Sequence, residues 1–177
     1  QWKIAFPLHP EYRTLPMVWY VPPLSPVQSQ IDQKALPTEA EWEFAARGGL
    51  INCEFAWGDE LAPGGAMLAN YWQGRFPYAN TEADGYTRTS PVRSYPANGY
   101  GLYDMIGNVW EWTASRFASP FDGSEQHSAS LLDQSPRVVR GGAWNSGPTY
   151  LRSSQRDMKQ PQHKDYALGF RVLRELP

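Results

Sequence analysis

The chain has 177 residues, with 16 Lys+Arg against 18 Asp+Glu and a formal net charge of −2. That length supports one ordinary domain with a real core. Its 14% aromatic content and near-neutral charge exclude a disordered chain, which needs few aromatics and a large net charge. The 15 Gly and 16 Pro interrupt every long stretch, so a coiled coil or helical bundle is excluded, and no run approaches the roughly 20 apolar residues of a membrane-spanning helix. No membrane partner is expected.

The charge is uneven. Residues 1–133 hold 8 basic and 15 acidic side chains, whereas residues 134–177 hold 8 basic and 3 acidic. Five of those Arg lie between Arg137 and Arg171, interleaved with Trp144, Tyr150 and Phe170. Two readings follow: an anion- or nucleic-acid-binding face, or two oppositely charged parts of one domain pairing internally. The absence of a Lys-rich run in a slightly acidic chain favours the second, and no nucleic-acid partner is expected.

In chain order, the sequence opens on Gln1 rather than Met, which predicts that it belongs to a longer product. Residues 1–33 read as an extended, Pro-rich segment, with one short strand at residues 17–21 and a polar linker at residues 29–34. The domain proper is placed at residues 34–177. Thr38 followed by Glu41 forms a capping box, Arg47 suits the negative helix end, and Gly48-Gly49 supplies a left-handed stop. A helix is predicted from Glu39 to Arg47, with Trp42, Ala45 and Ala46 facing inward.

Little helical periodicity follows. Strands are predicted at residues 109–113, at residues 137–140 continuing to Trp144, and at residues 170–174. In the first, Trp110 and Trp112 share one face while Val109, Glu111 and Thr113 share the other. One helix, a few short strands and long loops give an α+β fold with low secondary-structure content.

Two stretches carry candidate chemistry. Asp104 and Glu111 flank a turn at Gly107-Asn108, so carboxylates and turn carbonyls can converge on a hard cation such as Ca²⁺, which takes six to eight oxygens. The same pair could serve as acid and base, or be a solvated Asp and a strand Glu. Asn70 and Asp84 could be clamped by another Ca²⁺ across their loop, or simply occupy turns. His9, His127 and His163 show no ligand spacing, and no nucleotide or nucleophile motif is present. Cys53 stands alone, which excludes an intrachain disulfide and a CxxC zinc site.

Several uncommon motifs follow one another in a single series. Leu36-Pro37-Thr38-Glu39-Ala40-Glu41-Trp42-Glu43-Phe44-Ala45-Ala46-Arg47-Gly48-Gly49 comes first, then Ala56-Trp57-Gly58 and Ala69-Asn70-Tyr71-Trp72-Gln73-Gly74. Gly107-Asn108-Val109-Trp110-Glu111-Trp112, Arg137-Val138-Val139-Arg140-Gly141-Gly142-Ala143-Trp144 and Leu168-Gly169-Phe170-Arg171 complete it. Over about residues 35–175 this resembles the formylglycine-generating enzyme, or sulfatase-modifying factor, family. The resemblance implies a C-type-lectin-like fold with long loops pinned by structural calcium. One implied site falls on Asn70, Asp84 and the carbonyls of Tyr71 and Tyr86. The other falls on Asp104, Glu111 and the carbonyls of Gly107 and Val109. Trp110, Ser146, Tyr150 and Arg152 match pocket-lining positions, and Arg152 and Arg156 are expected to meet a ligand carboxylate or phosphate.

Two departures qualify the resemblance. Family enzymes carry two copper-binding cysteines where this chain has Ser146 and Leu151, and neither residue is a thiolate ligand. Formylglycine generation and copper are therefore not expected. The family's usual N-terminal strand and helix are missing or replaced. Instead, Ile4-Ala5-Phe6-Pro7-Leu8-His9-Pro10-Glu11-Tyr12-Arg13 to Pro26 resembles a piece of the iron–sulfur β subunit of nitrate- or perchlorate-reductase-type molybdoenzymes, without its cluster cysteines. The sequence thus leads to a calcium-stabilised module for a peptide or small-molecule ligand, with no catalytic residue assigned. The alternative is a non-haem metal oxidoreductase resembling the pyoverdine- and ergothioneine-biosynthesis relatives, with His127 and His163 as candidate ligands.

Overall fold

A computed structural model describes residues 34–174; the Pro-rich segment at residues 1–33, the strand expected at residues 17–21 and the expected change to the family's N-terminal part lie outside them. Helix α1 (Glu39–Arg47) forms where the capping box places it. Thr38 Oγ1 accepts from the Glu41 amide at 3.3 Å, and Glu41 Oε2 accepts from the Thr38 amide at 2.8 Å. Two donors that the helix cannot satisfy internally are met reciprocally. Gly48 ends the helix at φ +57°, and a Cβ there would lie 2.8 Å from the Gly99 amide nitrogen. Only glycine fits that close approach. Asn98 completes the end, its Nδ2 donating to the Ala45 and Ala46 carbonyls at 2.7 and 3.1 Å.

The strands are short. β1 (Lys34–Ala35) pairs antiparallel with β6 (Leu173–Arg174). A four-stranded sheet runs β4 (Arg156–Lys159), β3 (Arg137–Arg140), β2 (Trp110–Arg116), β5 (Leu168–Phe170). β2–β3 and β3–β4 are antiparallel, and β2–β5 is parallel. Between α1 and β2, residues 48–109 hold one short 3₁₀ turn at Pro63–Gly65 and are otherwise irregular. The fold is α+β with little regular structure, as expected.

The strand boundaries differ from the sequence reading for identifiable reasons. β2 runs on to Arg116 past Thr113 because β3 pairs with it there, with a register shift between Trp112 and Arg116. β3 stops at Arg140 because Gly141 and Gly142 take φ +97° and +74°, outside the strand region, so the continuation to Trp144 is not made. The single strand expected at residues 170–174 is two, β5 and β6, parted at Arg171, whose side chain turns into the interior. β4 was not anticipated, since Arg156-Asp157-Met158-Lys159 shows no apolar alternation and is ordered as an edge strand by its partner. β1 begins at Lys34, the last residue of the expected linker.

Both faces of β2 are covered. Trp110 packs with Val139, Ala143, Ala167 and Leu168, with Trp112 and Trp144 at the margin. The other face presents Glu111 and Thr113, which are equally buried. The larger core joins Trp42, Ala45 and Ala46 of α1 to Phe55, Tyr71, Met105, Ile106 and Leu151.

Charged groups are buried between helix and sheet. Arg140 has no exposed surface and meets Glu43 Oε2, Glu39 Oε1 at 3.6 Å and the carbonyls of Ser153, Ser154 and Gln155. Burial lowers its pKa, and the charges of Glu43 and Glu39 oppose that shift. Arg156 pairs bidentately with Glu39 at 2.6 and 2.7 Å. Arg171 pairs with Glu111 at 2.5 and 2.6 Å, and Trp42 Nε1 donates to the same carboxylate at 2.7 Å. Glu39, Glu43 and Glu111 thus answer Arg140, Arg156 and Arg171, and part of the charge asymmetry of the sequence is internal pairing.

Removing one partner of such a cluster strands the other charges. Arg140→Met should cost about 3–5 kcal/mol, against about 1 kcal/mol for Thr38→Ala at the helix cap. Urea denaturation of both variants checks this, and equal losses would show that the buried cluster is not a principal support of the fold.

Candidate functional site

The candidate site is built from three segments that meet beside the start of β2: residues 70–73, 104–110 and 143–152. Asn108 joins them. At φ +64°, its amide donates to the Asn70 carbonyl at 2.8 Å, and its carbonyl accepts from Trp144 at 2.9 Å. Its side chain accepts from the Ser90 amide at 3.0 Å and donates to the Ser90 carbonyl at 3.2 Å, copying a backbone pair. In the sequence Asn108 is a turn residue within a family motif, and asparagine's tolerance of left-handed backbone is the physical signal for its conformation. Gly107 beside it has φ +79°, and a Cβ there would lie 2.3 Å from the Asn70 carbonyl oxygen.

Asn70, Tyr71, Asp84 and Tyr86 come together. Asp84 accepts from the Tyr71 amide through Oδ2 and from the Tyr86 amide through Oδ1, both at 3.0 Å. Asn70 is buried, and its Nδ2 donates to the Arg88 carbonyl at 2.7 Å while its Oδ1 meets no donor. A buried oxygen without a donor costs about 1–3 kcal/mol. These residues supply a carboxylate, an orphaned amide oxygen and carbonyls, donor types that suit a hard cation, with each Asp84 oxygen already accepting one backbone amide. Tyr95 donates its hydroxyl to the Asp84 carbonyl at 3.2 Å. Burial, and secondarily the charge of Asp84, raises that phenol's pKa, so it remains a donor.

The second set fits less completely. Asp104, at φ +52°, accepts from the Arg93 amide at 2.7 Å through Oδ2, while its buried Oδ1 is unpartnered. Burial raises the carboxyl's pKa, with the Arg93 amide and the Arg171 charge opposing it. Glu111, expected as a ligand beside it, is first the counter-ion of Arg171, and three donors already occupy its two oxygens. Gly107 and Val109 are buried close by in sequence. Among the described residues no three His, Cys, Asp or Glu side chains converge as a metal cluster, and His163 faces Asp165 at 3.7 Å.

The expected pocket residues separate into two groups. Trp110 and Tyr150 meet edge-to-face with ring centroids 6.1 Å apart. Ser146 is buried, its Oγ accepting from the Ala143 amide at 3.1 Å and its carbonyl from the Trp72 amide at 3.0 Å. Arg152 is exposed and donates to the Thr149 carbonyl and Gln155 Oε1, both at 3.2 Å. Arg156 does not belong with them. Its guanidinium is held by Glu39 and lies 4.8 and 4.1 Å from the Phe117 and Phe121 rings, so it is not available to a ligand anion. Leu151 lies in the core with no exposed surface. Trp72 adds an aromatic edge, packed against Phe76 at 5.2 Å, that the sequence reading did not place at the site.

Other hollows are present, one of them reaching Asp104 of the second set. A cavity of about 700 Å³ is lined by Phe44, Arg47, Leu50, Cys53 and Tyr100. Another of about 360 Å³ is lined by Arg116, Asp122 and His127, and a third of about 300 Å³ by Trp57, Leu102, Asp104 and Met105.

Over residues 29–176 the chain matches the sulfatase-modifying factor enzyme 1-like domain, and it belongs to that family. It is 45% identical over 146 residues to a formylglycine-generating enzyme of Streptomyces coelicolor, covering 78% of this chain and 46% of the relative. It is 42% identical over 144 residues to an "inactive C-alpha-formylglycine-generating enzyme 2" of Bos taurus, covering 78% and 43%. The chain therefore spans about half or less of these relatives' length. Among solved structures, PvdO from Pseudomonas aeruginosa superposes with a TM-score of 0.64 at 31% identity, covering 84% of this chain and 56% of that one. The likeness of residues 1–30 to an iron–sulfur β subunit finds no support in these comparisons.

Two substitutions test the geometry without any ligand. Gly107→Ala should destabilise by about 1–3 kcal/mol through collision with the Asn70 carbonyl. Asp104→Asn removes a charge that burial opposes, and asparagine tolerates the same backbone. An acid whose folded pKa is raised contributes stability that is lost as pH rises through that pKa. At pH 7 with chelator, Asp104→Asn should therefore raise Tm; a lowered Tm would show that the charge is compensated.

Proposed function

We propose that this chain is a calcium-stabilised, formylglycine-generating-enzyme-like module that binds a peptide or small molecule and lacks the family's copper–cysteine chemistry. The observation that carries this reading is the pair of positions where the family resemblance places thiolates. One is Ser146, whose hydroxyl is engaged by the Ala143 amide, and the other is Leu151, buried in the core. Neither is a soft ligand for copper. A relative named as inactive supports the same direction.

Calcium would be held at Asn70 Oδ1, Asp84 and the carbonyls of Tyr71 and Tyr86. The unpartnered Asn70 oxygen supports this set most directly. Asp104, with Glu111 and the carbonyls of Gly107 and Val109, forms the weaker second set. When bound, the ion supplies charge compensation and cross-links loops that have little secondary structure. The Trp110–Tyr150 pair provides an aromatic wall, and Arg152, whose described acceptors are neutral, can meet a carboxylate or phosphate at its rim. A non-haem oxidoreductase would need converging His or carboxylate ligands, which the described residues do not supply as a cluster.

Calorimetric titration of chelator-stripped protein with calcium tests the metal reading. Uptake should raise Tm, since a ligand at 100 times its Kd stabilises by about 2.7 kcal/mol, and Asp84→Asn should remove the tighter uptake. No heat and an unchanged Tm would overturn it. For the pocket, an anionic peptide that quenches tryptophan fluorescence should bind Arg152→Gln about tenfold more weakly, the loss of one charge-assisted hydrogen bond.

A further inference from the structure

Gln73 lies between the candidate cation set and an aromatic loop, and it is bonded to both. The residue is buried. Its Nε2 donates to the Tyr71 carbonyl, and its Oε1 accepts from the Asp84 amide at 3.2 Å. One side-chain amide therefore spans the cradle, touching a carbonyl and the backbone of the carboxylate proposed to hold the ion. Its own backbone closes the loop beyond: the Gln73 amide donates to Asn80 Oδ1 at 3.0 Å, and the Gln73 carbonyl accepts from Thr81 at 2.7 Å.

The enclosed loop has internal order. The Tyr78 and Ala79 amides donate to the Arg75 carbonyl at 2.8 and 2.9 Å. A Cβ on Gly74, at φ +120°, would lie 2.6 Å from the Ala79 carbonyl oxygen. The loop carries Phe76 and Tyr78 outward, 55% and 78% exposed, and the Arg75 guanidinium lies 5.2 Å from the Tyr78 ring. Phe76 packs on Trp72, whose amide is fixed to the Ser146 carbonyl. The segment that would ligate calcium is thus continuous with one edge of the aromatic site.

We propose that Gln73 is a positioning residue that couples cation occupancy at Asn70 and Asp84 to the order of the aromatic loop at residues 74–80. This rests on the calcium reading above. A cation on the Tyr71 carbonyl takes one lone pair and leaves the other to Gln73 Nε2, so ion and side chain are compatible. Binding fixes the Tyr71 carbonyl and Asp84 relative to each other, and those are the two ends that the Gln73 amide bridges. The loop then gains order because both closing bonds start from a fixed residue. Ligand binding at the Trp72 edge becomes calcium-linked without any ligand contact to the ion.

Amide hydrogen exchange with and without calcium, alongside calorimetric calcium titration, tests the coupling with the metal as the only probe. In the wild type, saturating calcium should slow exchange at Tyr78, Ala79 and Thr81 roughly tenfold. Gln73→Met keeps the side-chain volume and loses both bridging bonds, whereas Asn80→Ala leaves the cradle intact and cuts the link on the loop side. Asn80→Ala should bind calcium within about threefold of the wild type, and both variants should show no calcium-dependent protection at those amides. Protection in Asn80→Ala and in folded Gln73→Met equal to that of the wild type would overturn the coupling and leave the calcium reading standing. Absence of calcium uptake by the wild type itself would overturn both.

Discussion

A guanidinium with no exposed surface has to be answered by carboxylates, and the contact between helix and sheet is arranged around that of Arg140. Arg140 ends β3, where Gly141 and Gly142 turn the chain away. Glu39 and Glu43 of α1 close over it, and the carbonyls of Ser153, Ser154 and Gln155 accept from its two terminal nitrogens, leaving the buried Nε without a partner. Arg156 then shares Glu39, so the same carboxylate binds the edge strand β4 to the helix. With so few strands, the sheet holds its helix by charge as well as by apolar area. That arrangement fixes the direction from which β2 presents Trp110 on one face and Glu111 on the other.

A second pairing, of Glu111 with Arg171 and the Trp42 indole, lies beside the first: Glu111 faces Arg140 across β2 and β3, and the Arg140 guanidinium lies 5.4 Å from the Trp42 ring. Arg171 also donates to the Asp104 carbonyl at 2.9 Å, so the loop before β2 is tied to the turn between β5 and β6. The irregular segment between α1 and β2 is held in the same manner, by side chains that act as backbone. Asn98 satisfies the end of the helix, and Asn108 pairs with Ser90 as a strand would. Where long loops replace secondary structure, buried amide side chains must satisfy peptide groups that no ladder reaches. Asn70 Oδ1 and Asp104 Oδ1 are among the buried side-chain atoms left without a partner, along with Ser90 Oγ, Glu125 Oε2 and Ser153 Oγ.

Much of this was legible locally. The helix boundaries follow from Thr38, Glu41 and Gly48, because a cap is a short-range arrangement. The family resemblance marked Asn70, Asp84, Trp110 and Tyr150, and the chain brings Asp84 to the Tyr71 amide, next to Asn70, and Trp110 to Tyr150. Charge counting pointed to internal pairing without identifying the pairs. Arg152 and Arg156 looked alike in sequence, yet one is exposed and the other is bound to Glu39, 117 residues away. Gln73 and Asn108 stood within family motifs without an assigned role, since an amide side chain acquires a role only from the peptide groups placed around it.

The sequence by itself determined the α+β class, the capped helix and the family. These are properties of residue type and short spacing. Only the tertiary structure decided where β3 ends, that the last strand is two, that Glu111 answers Arg171 and that Arg156 is unavailable to a ligand. Each depends on which groups lose water together, and desolvation is decided by contacts between residues far apart in the chain.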